Sequence, residues 1–394
     1  MKKYFLLSST ILIAAILFTS CKKSSPNAPG GGTTDTTGNA TGDFTDIYVA
    51  GFVTNGNKNN ATYWKNGTAV TLSDQNSDVA DITMDKGIVY AVGFIIQNSK
   101  HYAVYWANGT EHLLTDGENT ASANAIYAGY AKTGPAATDV ALHLFIAGYE
   151  YTGNPAPNNL AQAVYWDVDV NGVQINGSNV KKYVVAPEPS NALDITWPGG
   201  EPVICGITAT GITNVDAIHG TATVWRQYAT GAGFGEIGNG IGSDAEAIWP
   251  VIKPDSTIDF YTCGREVNAN TGNAMATWWV SGTANHFTNG ANYEYATDIQ
   301  VVNGHVFACG TGMDGTTGKY MAKYWKGDGT EIKLTDGTNT AFATGIAVKG
   351  DNVLVCGYEN VSGTIAIAKY WKNGVAVNLS DGVHNATALA IYAK

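Results

Sequence analysis

The sequence predicts an all-β fold, a seven-bladed β-propeller of four-stranded antiparallel blades, and three observations lead there. A strand signature, Ala-x-x-Trp, occurs seven times, with its tryptophans at Trp64, Trp106, Trp166, Trp225, Trp279, Trp325 and Trp371. Self-similarity at a period of some tens of residues is the mark of a repeat architecture. Each repeat breaks into four short segments rich in β-branched and aromatic residues and bounded by Gly and Asn turns. The chain also ends on an orphan strand, Ala388 to Ala393, that matches the first segment of a repeat whose copy is missing at the start.

The N-terminus comes first. Lys2 and Lys3 precede an apolar run from Tyr4 to Phe18 that is too short for a membrane span, so residues 1–20 read as an export signal. Leu17-Phe18-Thr19-Ser20-Cys21 resembles a bacterial lipobox, which implies a lipoprotein signal peptide and acylation of Cys21. Lys22, where an Asp would retain the protein elsewhere, is similar to an outer-membrane sorting context. The tract up to residue 43 is rich in Gly, Thr, Ser, Asn and Pro and has almost nothing to bury. Such a composition predicts a disordered tether reaching roughly 25 Å. The propeller then occupies residues 44–394.

The last full repeat shows the pattern best. Ala343 to Val348 is strand a, Val353 to Tyr358 strand b, Ile365 to Trp371 strand c, and Val375 to Leu379 strand d. Strand b is apolar on both faces, with Val353 and Val355 opposite Leu354 and Cys356. It therefore needs a neighbour on each side, which blades packed around an axis supply. The first repeat begins at strand b, so the terminal strand 388–393 is expected to join the N-terminal blade and remove both open edges. Asn66-Gly67, Asn108-Gly109 and Asn373-Gly374 read as two-residue hairpin turns from c to d. Leu-Ser/Thr-Asp-Gly, as at Leu114 to Gly117, reads as the turn from d to the next a.

The repeat over residues 44–394 resembles β-propeller lipoproteins of Gram-negative bacteria and is similar to extracellular repeats of the HAF type. That resemblance implies no reaction. After loss of Lys2 and Lys3 the net charge falls from −11 to −13, and Arg226 and Arg265 are the only arginines. Nucleic acid is therefore an improbable partner on charge grounds, and membrane attachment rests on the N-terminal lipid. A monomer is expected, with no cofactor.

Because every blade carries the Trp, it marks scaffold. Cys205, Cys263, Cys309 and Cys356 share one position before the strand-b Gly; one strand spacing from the inner edge, they stand too far apart for bridges and read as buried thiols. Asp81, Asp194 and Asp298 precede the strand-a Ile in alternate blades. They are candidate cation ligands at the channel mouth, with acceptance of local backbone hydrogen bonds as the plainer reading.

Strands alternate in direction, so b–c and d–a loops share one face of the disc. The Asn-Gly and Lys-Gly-Asp turns keep the other face short, so length variation concentrates on this one, at Tyr151–Gln162, Thr208–Thr221 and Gly235–Ser243, in blades 3 to 5. Rim residues just beyond the strand-b Gly give binding candidates: Tyr149 and Glu150, Arg265 and Glu266, Tyr358 and Glu359. Arg265 with Glu266 is the most site-like pair. His101 and His219 lie in the same loops. The favoured reading is a lipid-anchored scaffold of the cell envelope that binds a glycan, peptide or envelope protein on this face. The alternative is an envelope polysaccharide hydrolase or lyase using Glu150, Glu266 or Glu359, which needs two carboxylates about 5–9.5 Å apart. A structural spacer is the third.

Overall fold

The computed structural model describes residues 43–132, 140–152, 160–170, 179–186, 189–208, 220–228, 231–239 and 242–394. Cys21 and the tether up to residue 42 lie outside them, as do 153–159, 209–219 and His219. All regular structure among the described residues is strand.

The opening strands β1 (Ile47–Asn55), β2 (Lys58–Lys65) and β3 (Thr68–Thr71) belong to blade 1. Blade 2 holds β4 (Ser77–Asp85), β5 (Ile88–Gln97), β6 (Lys100–Ala107) and β7 (Thr110–Leu113). Blade 3 holds β8 (Ala121–Lys132), β9 (Val140–Thr152), β10 (Leu160–Asp169) and β11 (Val180–Val184). Blade 4 holds β12 (Ser190–Thr196), β13 (Val203–Thr208), β14 (Thr221–Tyr228) and β15 (Gly231–Glu236). Blade 5 holds β16 (Ser243–Ile252), β17 (Ile258–Val267), β18 (Ala274–Val280) and β19 (Thr283–His286). Blade 6 holds β20 (Glu294–Val302), β21 (His305–Met313), β22 (Tyr320–Lys326) and β23 (Glu331–Lys333). Blade 7 holds β24 (Thr340–Lys349), β25 (Asn352–Asn360), β26 (Ala366–Lys372) and β27 (Val375–Asn378), and β28 (Ala386–Ala393) ends the chain.

Seven separate four-stranded antiparallel sheets result, and the first has the order β28-β1-β2-β3. The C-terminal strand therefore supplies strand a of blade 1. Its ladder runs from Ile47 opposite Ala393 to Val53 opposite Ala386, and Thr45 N–H donates to Lys394 O at 2.6 Å. The first blade is thereby completed to four strands from both chain ends, which closes the ring.

Each strand a carries a β-bulge at the same place, for example between Val79 and Asp81 and between Ala245 and Ala247. The strand-b glycine faces it. A Cβ on Gly51, Gly93, Gly148, Gly206, Gly264, Gly310 or Gly357 would lie 1.9–2.1 Å from a strand-a carbonyl oxygen. No side chain fits there, so the repeated Gly is dictated by the close approach of two backbones.

The seven tryptophans are fully buried, none more than 1% exposed. Each faces the preceding blade and packs in a cluster with that blade's pre-glycine residue. Trp279 meets Cys205, Trp325 meets Cys263, Trp371 meets Cys309, and Trp64 meets Cys356 across the closure. In the other three junctions Ala50, Val92 and Ala147 take the place of Cys. A small residue is needed beneath the indole, and a thiol fills it as a small hydrophobe. These four cysteines are buried thiols that form no disulfide.

The turn motifs close the same geometry. Asn66, Asn108 and Asn373 adopt positive φ, and their Oδ1 atoms accept the backbone N–H of Ile47, Val89 and Val353 at 2.8–2.9 Å. In the Leu-Ser/Thr-Asp-Gly turns, Leu114 and Leu379 N–H donate to the carbonyls of Ala103 and Ala368, the first residues of their Ala-x-x-Trp signatures. Thr115 and Ser380 hydroxyls accept the N–H of those same alanines. The two motifs are halves of one hydrogen-bonded unit.

One expectation needs correcting. Length variation is not confined to the b–c and d–a face. In blade 3 the β8–β9 ladder continues to Lys132 opposite Val140, so this a–b hairpin stands out on the opposite face. Tyr130 opposite Leu142, Ala131 opposite Ala141 and Lys132 opposite Val140 extend the pairing beyond the repeat's normal end, and Tyr130 Oη–H donates to Asp85 of blade 2 at 2.8 Å.

Candidate functional site

The rim carboxylates occupy equivalent strand-b positions and are bonded within their own blades. Glu150 pairs with Lys182 and accepts from Asn119 Nδ2 at 3.2 Å. Glu359 pairs with Lys369 and accepts from Asn339 Nδ2 at 3.0 Å. Burial alone would raise the Glu359 carboxyl, but its Lys369 and Asn339 bonds hold it below the ordinary value. Glu266 lies 3.7 Å from His286 and also meets the Asn239 backbone and the Trp279 indole, yet burial outweighs these contacts and raises its carboxyl above the ordinary range. A fourth buried pair, Glu294 with Lys323 at 2.5 Å, was missed from the sequence because its Glu sits on strand a.

Arg265 and Glu266 are neighbours on one strand, so their side chains leave on opposite faces and do not form a joint site. Glu266 lies on the side of Trp279, toward blade 4. Arg265 points to blade 6. Its Nε donates to Asp244 Oδ2 at 2.8 Å, its Nη1 donates to Tyr293 Oη, and its guanidinium lies 5.8 Å from the Tyr293 and Tyr295 ring centres. Burial opposes the arginine's charge, but adjacent Asp244 raises its pKa. For Asp244, burial outweighs the arginine and raises the carboxyl.

From Arg265 an arc of half-buried aromatic rings runs across blades 6 and 7 on the b–c and d–a face. Tyr293 touches Tyr295 and Tyr320 at 6.2 and 6.5 Å, Tyr320 touches Phe342 at 5.6 Å, and Phe342 touches Tyr358 at 5.0 Å. Burial pushes the Tyr358 hydroxyl to about 12 and raises Tyr293 as well. Tyr149 stands apart in blade 3, edge-on to Tyr151 at 5.5 Å, with its hydroxyl also pushed to about 12 by burial. The arc is anticipated only at its ends, by Arg265 and Tyr358. Its middle had a signal: the strand-a position that carries Asp78, Ser122, Asn191, Asp244 and Thr387 in other blades becomes Tyr295 and Phe342.

Asp81, Asp194 and Asp298 act as latches between blades. Each Oδ1 accepts the N–H of its own following Ile at 2.5–2.7 Å, and each Oδ2 accepts an Ile N–H of the next blade. Those second donors are Ile126, Ile248 and Ile346, at 2.7–2.8 Å. Burial raises the Asp298 carboxyl well above the ordinary range against these hydrogen bonds, and the charge of Asp194 adds to the rise. Among the described residues no group of three or more His, Cys, Asp or Glu side chains is arranged to hold a metal ion. His101 stacks on Phe94 at 4.3 Å, and burial lowers its pKa.

A cavity of about 340 Å³ opens on the opposite face between blades 4 and 5. Glu201, Pro202, Val203, Arg226, Ser256, Ile258 and Phe260 line it. The Arg226 guanidinium lies 4.7 Å from the Phe260 ring centre.

No protein-family model matches the chain, and no curated protein matches it. Among solved structures it is similar to the acylaminoacyl peptidase of Pyrococcus horikoshii, at 12% identity and a TM-score of 0.41, over 78% of this chain and 53% of that one. The β-propeller domain of the trilobed protease from Pyrococcus furiosus is similar at 10% identity and a TM-score of 0.40, over 77% and 96%. Hydrazine synthase of Kuenenia stuttgartiensis is similar at 11% and 0.47, over 94% and 50%. The chain thus spans about half the length of the first and third of these. At this distance the assignment as a seven-bladed propeller stands on its own blades.

Proposed function

We propose that this chain is a non-enzymatic binding scaffold of the cell envelope, anchored through a lipid on Cys21 and engaging an extended ligand on its b–c and d–a face. The aromatic arc from Arg265 to Tyr358 carries this reading. Aromatic rings offer large contact area at low entropic cost, with a hydroxyl at the tip for hydrogen bonds. A glycan or peptide laid along the arc meets rings of blades 6 and 7. Two of the three rim carboxylates are already engaged by lysines, which favours binding over hydrolysis. The test is a glycan array and an envelope pull-down with the full chain, beside Tyr320→Ala. Loss of the captured ligand in the variant, with an unchanged melting temperature, supports the reading; capture that ignores Tyr320 sinks it.

The second reading, a polysaccharide hydrolase or lyase, draws on Glu266, whose raised pKa suits a general acid. Incubation with envelope polysaccharides decides it: cleavage abolished in Glu266→Gln would establish the enzyme.

A further inference from the structure

We infer that the a–b and c–d face of the disc rests on the lipid headgroups, so that the long-loop face is presented away from the membrane. The inference rests on the proposed lipid anchor at Cys21 and adds which surface that anchor turns to the bilayer. Three observations carry it.

The first is where the chain enters the fold. Asp43, the first described residue, sits beside blade 7 on the a–b and c–d face. Its carboxylate pairs with Lys372 at 2.5 Å and its carbonyl accepts from Lys349 Nζ at 3.1 Å. Lys372 ends β26 and Lys349 ends β24, which fixes the face. Asp46 is bonded to Lys394 at the other chain end, also on this face.

The second is reach. Twenty-one residues, 22–42, separate Cys21 from Asp43. A Gly/Ser/Thr-rich tract of that length spans about 25 Å root-mean-square. To put the other face on the lipid, the chain would cross about three strand spacings and then a strand length of nine residues, roughly 45 Å in all. The attached face lies within the tether's root-mean-square span, whereas the far face lies at nearly twice that span and would require the tether to stretch well beyond its relaxed length.

The third is the chemistry of the two faces. On the a–b and c–d face cations lie over aromatic rings around the disc. Lys65 stands 5.5 Å from the Tyr48 ring, Lys86 4.6 Å from Tyr130, Arg226 4.7 Å from Phe260, and Lys326 5.9 Å from Phe307. Long cationic side chains above amphipathic rings are what membrane interfaces select. Asp46, Asp85, Asp255, Asp259, Asp328 and Asp351 share this face, where Asp46 and Asp259 pair with Lys394 and Lys253; the d–a loops of the other face carry Asp74, Asp116, Glu118, Asp336 and Asp381, which repel anionic headgroups.

The experiment uses the acylated full chain on phosphatidylethanolamine/phosphatidylglycerol vesicles doped with a headgroup-linked quencher. Single cysteines replace exposed lysines, Lys86→Cys and Lys253→Cys on one face and Lys58→Cys and Lys319→Cys on the other, and each carries a fluorophore. The buried native thiols do not compete for label. We expect several-fold stronger quenching at positions 86 and 253 than at 58 and 319. Equal or reversed quenching on protein that floats with the vesicles overturns the orientation alone. Protein that fails to float, matching a Cys21→Ala control, overturns the anchored reading and the orientation with it.

Discussion

Glu266 and Glu359 hold the same place in their blades and answer pH in opposite ways. Burial raises Glu266, so the folded state binds its proton more tightly than the unfolded chain does. Its contribution to stability is therefore fullest below the ordinary value of 4.5 and is lost as pH rises through the raised folded value. The Glu359 carboxyl is depressed by its Lys369 and Asn339 bonds against the pull of burial. Its contribution is present above 4.5 and disappears as pH falls through the lowered value. Melting temperatures between pH 3 and 8 should separate the two. Glu266→Gln should gain on the wild type as pH rises, whereas Glu359→Gln should fall behind near neutrality and draw level in acid. The sequence shows both glutamates but not this difference, because the distinction lies in Lys369 and Asn339, ten and twenty residues away.

At the level of the strand, the bulge in strand a and the glycine in strand b are one device. Gly264→Ala places a Cβ 2.0 Å from Asp244 O, and its three nearest neighbours are all strand-a backbone atoms with no flexible side chain to yield. A loss of more than about 4 kcal/mol is expected, enough to prevent purification of folded protein, and an ordinary melting curve would refute the account. The latch is milder. Asp298→Ala removes the acceptor for the N–H groups of Ile299 and Ile346, both buried, and should cost about 2–5 kcal/mol by denaturant titration. These elements were legible from spacing: the Gly after Cys or Ala, the Asp before Ile and the Asn-Gly turns all fall where the repeat puts them. The bulge was not, since one extra residue in a strand leaves no mark in an alternating pattern. Nor was the projecting β8–β9 hairpin.

For the whole molecule, closure is the property the sequence made plainest, through an orphan strand at one end and a missing one at the other. Deleting residues 386–394 strips β1 of its inner partner and opens an edge facing the channel. The truncated chain should lose its cooperative melt and associate through the exposed edge, which light scattering would register. The functional face was less legible. Length variation drew attention to blades 3 to 5, while the aromatic arc crosses blades 6 and 7, where the loops are short and only the residue types change. A period shows where copies differ in length more readily than where a ring replaces an aspartate.

The joining of the two chain ends in blade 1 has a mechanical consequence. On the proposed anchorage, a pull from the N-terminal side first meets the contacts of Asp43 with Lys372 and Lys349 and then runs along the axis of β1, which is bonded to β28 on one side and β2 on the other. The load is shared in shear by two ladders at once, so many hydrogen bonds must break together before the strand slides. A terminal strand at a sheet's outer edge would instead unzip one bond at a time. Under the proposed anchorage, the propeller would thus be held at a point that resists traction.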